Sequence, residues 1–356
     1  MRVMFAAKIL KQLLPVIAFG LALGMPANAE TMFRQPWKSE KHALVIDAYE
    51  FNALNLAEIA ADKRVAGFIN KGSDGLPPVW GCKSAVTDLE QDLCKKEWRL
   101  YAVSRELFHT RKELAKALGL KWGSYHLGRP GNAIDQANHF IDFADPQPDE
   151  LIAIDIEDIA SGKYISLAQA EEFARHIYRR LGRYPLLYVN DDTAKHIARQ
   201  RHDYPLLSRL PLWYARYKPE IARSFPKGNW EGYALWQFVS HLNCSKRTCP
   251  HRIVGTGKDI DINVANLDVK ALKAAWPLGG LVPMKNPRSS KDFSNALVAL
   301  AIDAMDGIRP IARNVGTLIQ RTTPPMVASA RPASAQGIDP IITATIEFDR
   351  RTGRAD

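Results

Sequence analysis

Eight short apolar runs recur between residues 42 and 266, and amphipathic stretches separate several of them. The runs are HALVIDAY (42–49), VAGFINKG (65–72), KWGSYHLG (121–128), LIAIDIE (151–157), PLLYVN (185–190), PLWYARY (211–217), YALWQFV (233–239) and IDINVAN (260–266). Each has strand length and is rich in β-branched or aromatic residues. Between them, residues 97–118 carry Trp98, Tyr101, Leu107, Leu114 and Leu118 with charges interspersed. Residues 167–181 place Phe173, Ile177 and Leu181 on one helical side, and 193–201 predicts a shorter helix. Strand–helix alternation sustained from residue 37 to 277 predicts one α/β barrel or sheet, not two domains. The later runs follow each other with less helix between them, which fits a regular eightfold barrel poorly.

The fourth run ends unusually. LIAIDIED (151–158) spends its apolar residues on a buried strand and then places three carboxylates. Side chains alternate along a strand, so Asp155 and Glu157 share one face while Ile154 and Ile156 share the other. Asp158 faces away from that pair and reads as a cap for the following segment. Two like charges in a partly desolvated cleft push their pKa values apart, leaving one carboxyl protonated and the other ionised, as acid-assisted glycoside cleavage requires. Asp47 follows Leu44, Val45 and Ile46, and Asp261 sits between Ile260 and Ile262. A lone Asp at a strand end is usually a cap or turn residue. Four acids at the ends of three apolar strands suit the mouth of a barrel better.

The first 29 residues begin with Arg2, Lys8 and Lys11, continue through an apolar stretch from Leu13 to Gly24, and end in Ala27-Asn28-Ala29. That order predicts a secretory signal cut before Glu30, and the apolar stretch is short for a retained anchor. No membrane span is expected after its removal. The whole chain carries a formal net charge of +10, without the dense basic stripe and interleaved aromatics of a nucleic-acid binder. In an exported chain, Cys82 with Cys94 and Cys244 with Cys249 read as two short-loop disulfides. Zinc at the second pair, flanked by His241 and His251, is the alternative, but the spacing matches no common zinc site. Residues 278–356, with TTPPMVASARPASAQG (322–337) and RRTGR (350–354), read as a low-complexity, mostly disordered tail or linker. An unknown partner for that tail stays open.

In this order the segments LVIDAYEFN (44–52), FINKGSDG (68–75), GSYHLGRPG (123–131), IDIE (154–157), PLLYVN, LWYARY (212–217), LWQF (235–238) and DIDINVAN (259–266) resemble the glycoside hydrolase family 25 lysozymes. The resemblance implies a shortened TIM-like (β/α)5(β)3 barrel over residues 37–277, acting without metal or organic cofactor. It implies N-acetylmuramidase activity: cleavage of the β-1,4 bond between N-acetylmuramic acid and N-acetylglucosamine in peptidoglycan. Carried over by residue, Glu157 is the general acid, Asp155 its partner carboxylate, and Asp47 and Asp261 the acids that shape the site's charge. A substrate-assisted route with the 2-acetamido oxygen as nucleophile is the favoured course. An inverting route, with Asp47 or Asp261 as base, needs carboxyls roughly 6.5–9.5 Å apart. Tyr125 and His126 are candidates for the mouth, with a structural histidine as the alternative. Arg129 either pairs with a carboxylate or braces the Pro130 loop. Tyr188, Tyr214 and Trp236 are sugar platforms or core residues, and Gln237 is a substrate-side polar residue of unread role. Relative to that family, about 77–96 looks inserted on the substrate side.

Two rivals remain at this stage: a catalytically silent peptidoglycan-binding barrel, and a glycosidase of other specificity such as a chitinase-like enzyme. The acid run typical of the latter is absent before Asp155. The expected protein is a periplasmic or secreted monomer whose partner is peptidoglycan.

Overall fold

In the computed structural model, which describes residues 32–79, 81, 82 and 87–285, each apolar run is a strand. They are β1 (Leu44–Ala48), β2 (Val65–Asp74), β3 (Lys121–Leu127), β4 (Leu151–Ile156), β5 (Leu186–Asn190), β6 (Leu212–Ala215), β7 (Leu235–Val239) and β8 (Asp261–Val264). Together they close into one barrel in sequence order. Neighbours from β1 to β7 are parallel, whereas β8 runs antiparallel to both β7 and β1. Helices α1 (Leu56–Ala61), α2 (Asp88–Ala117), α3 (Ala133–Ala144), α4 (Leu167–Leu181) and α5 (Asp191–Arg199) follow the first five strands in turn, and α6 (Val269–Ala275) follows β8. This is the shortened barrel anticipated from the sequence. The proposed signal and the tail beyond residue 285 lie outside the described residues.

The direction of β8 follows from its connection. A parallel neighbour needs a crossover back to the strand's starting end, whereas an antiparallel one needs only a loop at the same end. Residues 240–260 hold no helix, carry the Cys244–Cys249 disulfide, and deliver the chain into β8 at the end where β7 stopped.

Parity sorts the side chains. Val45, Ile69, Leu151, Ala153, Leu186, Trp213 and Leu235 fill the barrel interior. Leu44, Ile46, Phe68, Ile152, Ile154, Ile156 and Leu187 face outward and pack with Phe108, Phe140, Phe173 and Ile177 of the helices. Each such side chain contributes roughly 1.5–3 kcal/mol when fully buried. Helix α4 has the predicted bounds, fixed by a Ser166–Gln169 capping box and by Gly182 in the left-handed region at φ 71°. Helix α2 starts nearer the chain's beginning than its apolar periodicity suggests, because Thr87 and Glu90 form a capping box there. Its first turns are largely exposed, so they lack the buried stripe that signals a helix in sequence. Beyond Trp276, Val282 and Arg209 exchange hydrogen bonds of 2.8 and 3.0 Å, holding residues 278–285 against the barrel.

One ionic clamp fixes α2 to β4. Glu150, just before the strand and 1 % exposed, accepts from Lys112 Nζ at 2.8 Å and Lys116 Nζ at 3.0 Å. Glu150→Ala leaves the Lys112 ammonium buried without its counter-charge. A loss of about 3–5 kcal/mol is expected, read as a fall in the urea unfolding midpoint at pH 7.

Candidate active site

The barrel interior changes chemistry near the end where β1–β7 terminate. Lower layers are aliphatic, but the next inward positions are Asp47, Tyr125, Asp155, Tyr188 and Gln237, joined by Asp261 and Asn263 from β8. Asp261 reaches this layer by opening its strand instead of closing it, and stands opposite Asp47 in the antiparallel register. The sequence places it at a strand end; the reversal of β8 brings that end to the mouth.

Asp47 is the most tightly held of these acids. Gln237 Nε2 donates to both its oxygens at 3.2 and 3.1 Å, and Asn263 Nδ2 donates to Oδ2 at 2.6 Å. Trp213 Nε1 fixes Asn263 by donating to its Oδ1 at 2.5 Å. Tyr188 and Tyr217 both donate to Gln237 Oε1, at 2.9 and 2.6 Å. Gln237 is therefore the hub that orients Asp47. Its oxygen is occupied by two phenols, so its amide must point at the carboxylate.

Burial dominates the electrostatics. It raises the Asp47 carboxyl from the ordinary 3.8 to about 6, against the opposing pull of the Asn263 and Gln237 hydrogen bonds. Asp155 is raised well above the carboxylate range by burial first and then by the negative charge of Glu157 and Asp47. Asp261 is raised likewise by burial, then by Asp47 and Glu157. Asp155 Oδ1 and Asp261 Oδ1 are buried without a hydrogen-bond partner among the described residues. Such atoms are costly unless a ligand supplies the missing donor.

Glu157 lies one residue past β4 and is exposed. Tyr164 Oη donates to its Oε2 at 2.9 Å, and Asn190 Nδ2 donates to its main-chain oxygen. The Tyr164 ring lies under the Arg129 guanidinium, 5.1 Å from its centroid. Arg129 forks onto Asp74 through Nε–Oδ1 at 2.5 Å and Nη2–Oδ2 at 3.0 Å. Of its two anticipated roles, Arg129 thus takes the carboxylate pairing. Gly128 brings Tyr164 into place: Ile165 N donates to Gly128 O, and a Cβ on Gly128 would stand 2.3 Å from the Ile165 side chain. Asp158 caps its loop, accepting from Ala160 N at 2.8 Å.

Three candidates are corrected. His126 is fully buried on the outer face of β3, bonded to Ser73 Oγ at 2.8 Å and Gln136 Oε1 at 3.1 Å and stacked on Phe173. Burial pushes its imidazole down to about 4, and it does not line the mouth. Tyr214 and Trp236 face outward as well, Tyr214 donating to Asp191 and Trp236 to the Arg216 carbonyl. Their parity, opposite to that of Trp213 and Gln237, makes them core residues and not sugar platforms. Tyr125 and Tyr188 do face inward, edge-on to Trp213. Trp213, Tyr217, Asn263 and Tyr164 were not anticipated. Strand parity alone would have found Trp213 and Asn263, but the two loop tyrosines leave no periodic signal. Both expected disulfides, Cys82–Cys94 and Cys244–Cys249, are formed, so neither pair offers thiolates to zinc.

The sequence pattern of Glycosyl hydrolases family 25 matches residues 101–246, from the middle of α2 to the loop after β7. Over that stretch the chain is similar to family 25. The match marks the protein as a glycoside hydrolase, and the acid-lined mouth is its candidate active site. Among solved structures, a muramidase from Acremonium alcalophilum is similar at 20% identity and TM-score 0.46, over 65% of this chain and 97% of that one. A family GH25 lysozyme from Aspergillus fumigatus is similar at 19% identity and TM-score 0.45, over 67% and 99%. A bacterial lysozyme from Streptomyces coelicolor shows 18% identity and TM-score 0.43, over 65% and 95%. No curated protein matches the chain.

The raised carboxyls set the pH dependence of stability. Below 3.8, Asp47 is protonated in both folded and unfolded chains and lowers stability in neither. As pH rises through about 6, the folded chain must hold a buried ion that the unfolded chain solvates freely, so stability falls across that window. Asp155 and Asp261, raised in the same direction, act with the same sign. Asp155→Asn is expected to raise the melting temperature at pH 8 by several degrees, about 1–2 kcal/mol, and to lessen the decline measured by calorimetry as pH rises above 3.8.

Proposed function

We propose that the protein is an exported N-acetylmuramidase, cleaving the β-1,4 bond between N-acetylmuramic acid and N-acetylglucosamine in peptidoglycan. The observation that carries this reading is the division of labour within one D-x-E pair. Asp155 is buried with an unpartnered oxygen, while Glu157, next on the same face, stands exposed at the mouth. Glu157 is placed to protonate the leaving glycosidic oxygen as general acid. A donor facing the unpartnered Asp155 oxygen draws the carboxyl back toward its ionised form, and the substrate's acetamide N–H, whose acidity grows as the acetamido oxygen closes on the anomeric carbon, is such a donor. This supports a substrate-assisted course. Asp47 is saturated by amide donors and is poorly disposed to activate water; ionised above about 6, it keeps the field negative where positive charge develops on the sugar. Tyr125 and Tyr188 are the inward aromatic surfaces offered to a sugar ring. The two disulfides favour an oxidising compartment, consistent with a periplasmic or secreted enzyme.

Purified protein is expected to release muropeptides with muramic acid at the reducing end, identified by mass spectrometry. Glu157→Gln is expected to slow release by at least about 100-fold while leaving the melting temperature unchanged, because the side chain is exposed. Products ending in glucosamine, or full activity in the Gln variant, would overturn this assignment.

A further inference from the structure

A second concavity of about 480 Å³ opens beside the mouth, between the end of β2, the first half of α2 and α3. It is not part of the acid layer. Its lining includes Lys71 and Asp74 of β2, Leu76 just after it, Glu97 and Leu100 of α2, and Phe143 of α3. Leu76 and Leu100 bring large apolar side chains to it that are 47 % and 46 % exposed. The polar groups differ in their commitments. Lys71 Nζ pairs with Glu50 at 2.9 Å and Asp74 with Arg129, but Glu97 has no ion-pair partner among the described residues. The lining therefore offers apolar contact and one uncommitted carboxylate, which suits a short peptide bearing a cationic amine.

The Cys82–Cys94 bridge ties the loop after β2 to α2, and Trp98 Nε1 donates to Val79 O at 3.0 Å. Pro78, at the start of the stretch that looks inserted in the sequence, lines the pocket, and Leu76, Glu97 and Leu100 flank that stretch. The pocket also lies close to the chemistry. Asp74 is in register with Leu127, and Leu127 with Asp155, so Asp74 sits two strands from the buried acid, about 10 Å away at usual strand spacing. Asp74 further belongs to the Asp74–Arg129–Tyr164–Glu157 chain, so one residue is shared between the pocket wall and the support of the acid.

We propose that this pocket is a subsite for the peptide stem that muramic acid carries on its lactyl group, with Glu97 receiving the side-chain amine of the stem's diamino acid and Leu76 and Leu100 covering its apolar residues. The inference rests on the muramidase reading and deepens it: the enzyme selects glycan strands that still bear peptides. An amidase-stripped chain fills the mouth but leaves the pocket empty, and so loses binding energy away from the reacting bond.

The test compares purified wild-type protein with the double variant Glu97→Lys, Leu100→Glu on peptide-bearing glycan chains and on the same chains stripped by an amidase. Both positions are exposed, so folding is preserved, and circular dichroism checks this. Wild type is expected to show at least a fivefold higher kcat/KM on peptide-bearing chains. The variant is expected to lose about tenfold there, through KM, with its rate on stripped chains held within twofold. Equal wild-type rates on both substrates, or a variant loss of equal size on both, overturns the subsite. Wild type that cuts neither substrate overturns the muramidase reading itself, and the subsite falls with it.

Discussion

The three amide hydrogen bonds onto Asp47 hold the architecture and the site together. Gln237 comes from β7, Asn263 from β8 and Asp47 from β1, so the bonds cross the seam where the barrel closes. That seam is the one place where strand direction reverses. An antiparallel strand can enter the ring only if its inward residues match the layers of its parallel neighbours. Asn263 does so by bridging the Val45 carbonyl and the Asp47 carboxylate while receiving Trp213. Without this seam, Asp261 would not be delivered to the mouth, and the polar layer would lose one side.

The same layer is where the fold spends stability. Three carboxyls, Asp47, Asp155 and Asp261, are pushed toward the protonated form by burial, each because the barrel interior solvates an ion poorly. A shift of one pKa unit corresponds to about 1.4 kcal/mol. A well-packed apolar plug would be more stable and would do nothing. The aliphatic layers beneath, and the shell of Phe108, Phe140, Phe173 and Ile177 outside, offset that cost. Support for the exposed acid is assembled separately, by the Gly128 turn, the Tyr164 hydroxyl and the Arg129–Asp74 fork. Buried and exposed members of the D-x-E pair are thus held by different parts of the chain, which lets one stay fixed and dry while the other meets solvent.

Much of this was legible from residue order. All eight strands were visible as apolar runs, because a strand buried on both faces needs apolar residues at every position. The shared face of Asp155 and Glu157 follows from the period of two. Roles that depend on which face turns inward were not legible. His126, Tyr214 and Trp236 sit one residue from inward-facing neighbours, and the motifs that contain them do not say which parity faces the barrel interior. Helix α2 was foreseen only where it packs, since exposed turns carry no periodic signature. Tyr164 and Tyr217 are loop residues, placed by Gly128 and by the passage after β6, and loops carry no period at all.

The sequence by itself determined the barrel, its truncated helix pattern, both cysteine pairings and the acids available to it. These depend on local spacing and on burial, which a linear pattern records. Only the tertiary structure decided that β8 runs backwards, so that Asp261 opens its strand and still meets Asp47. It also decided which carboxyl is dry, which aromatic faces the mouth, and that the segment after β2 walls a second pocket. Those outcomes depend on direction and enclosure. Both arise when strands from opposite ends of the chain meet, as Asp47 and Asn263 do across the closing seam.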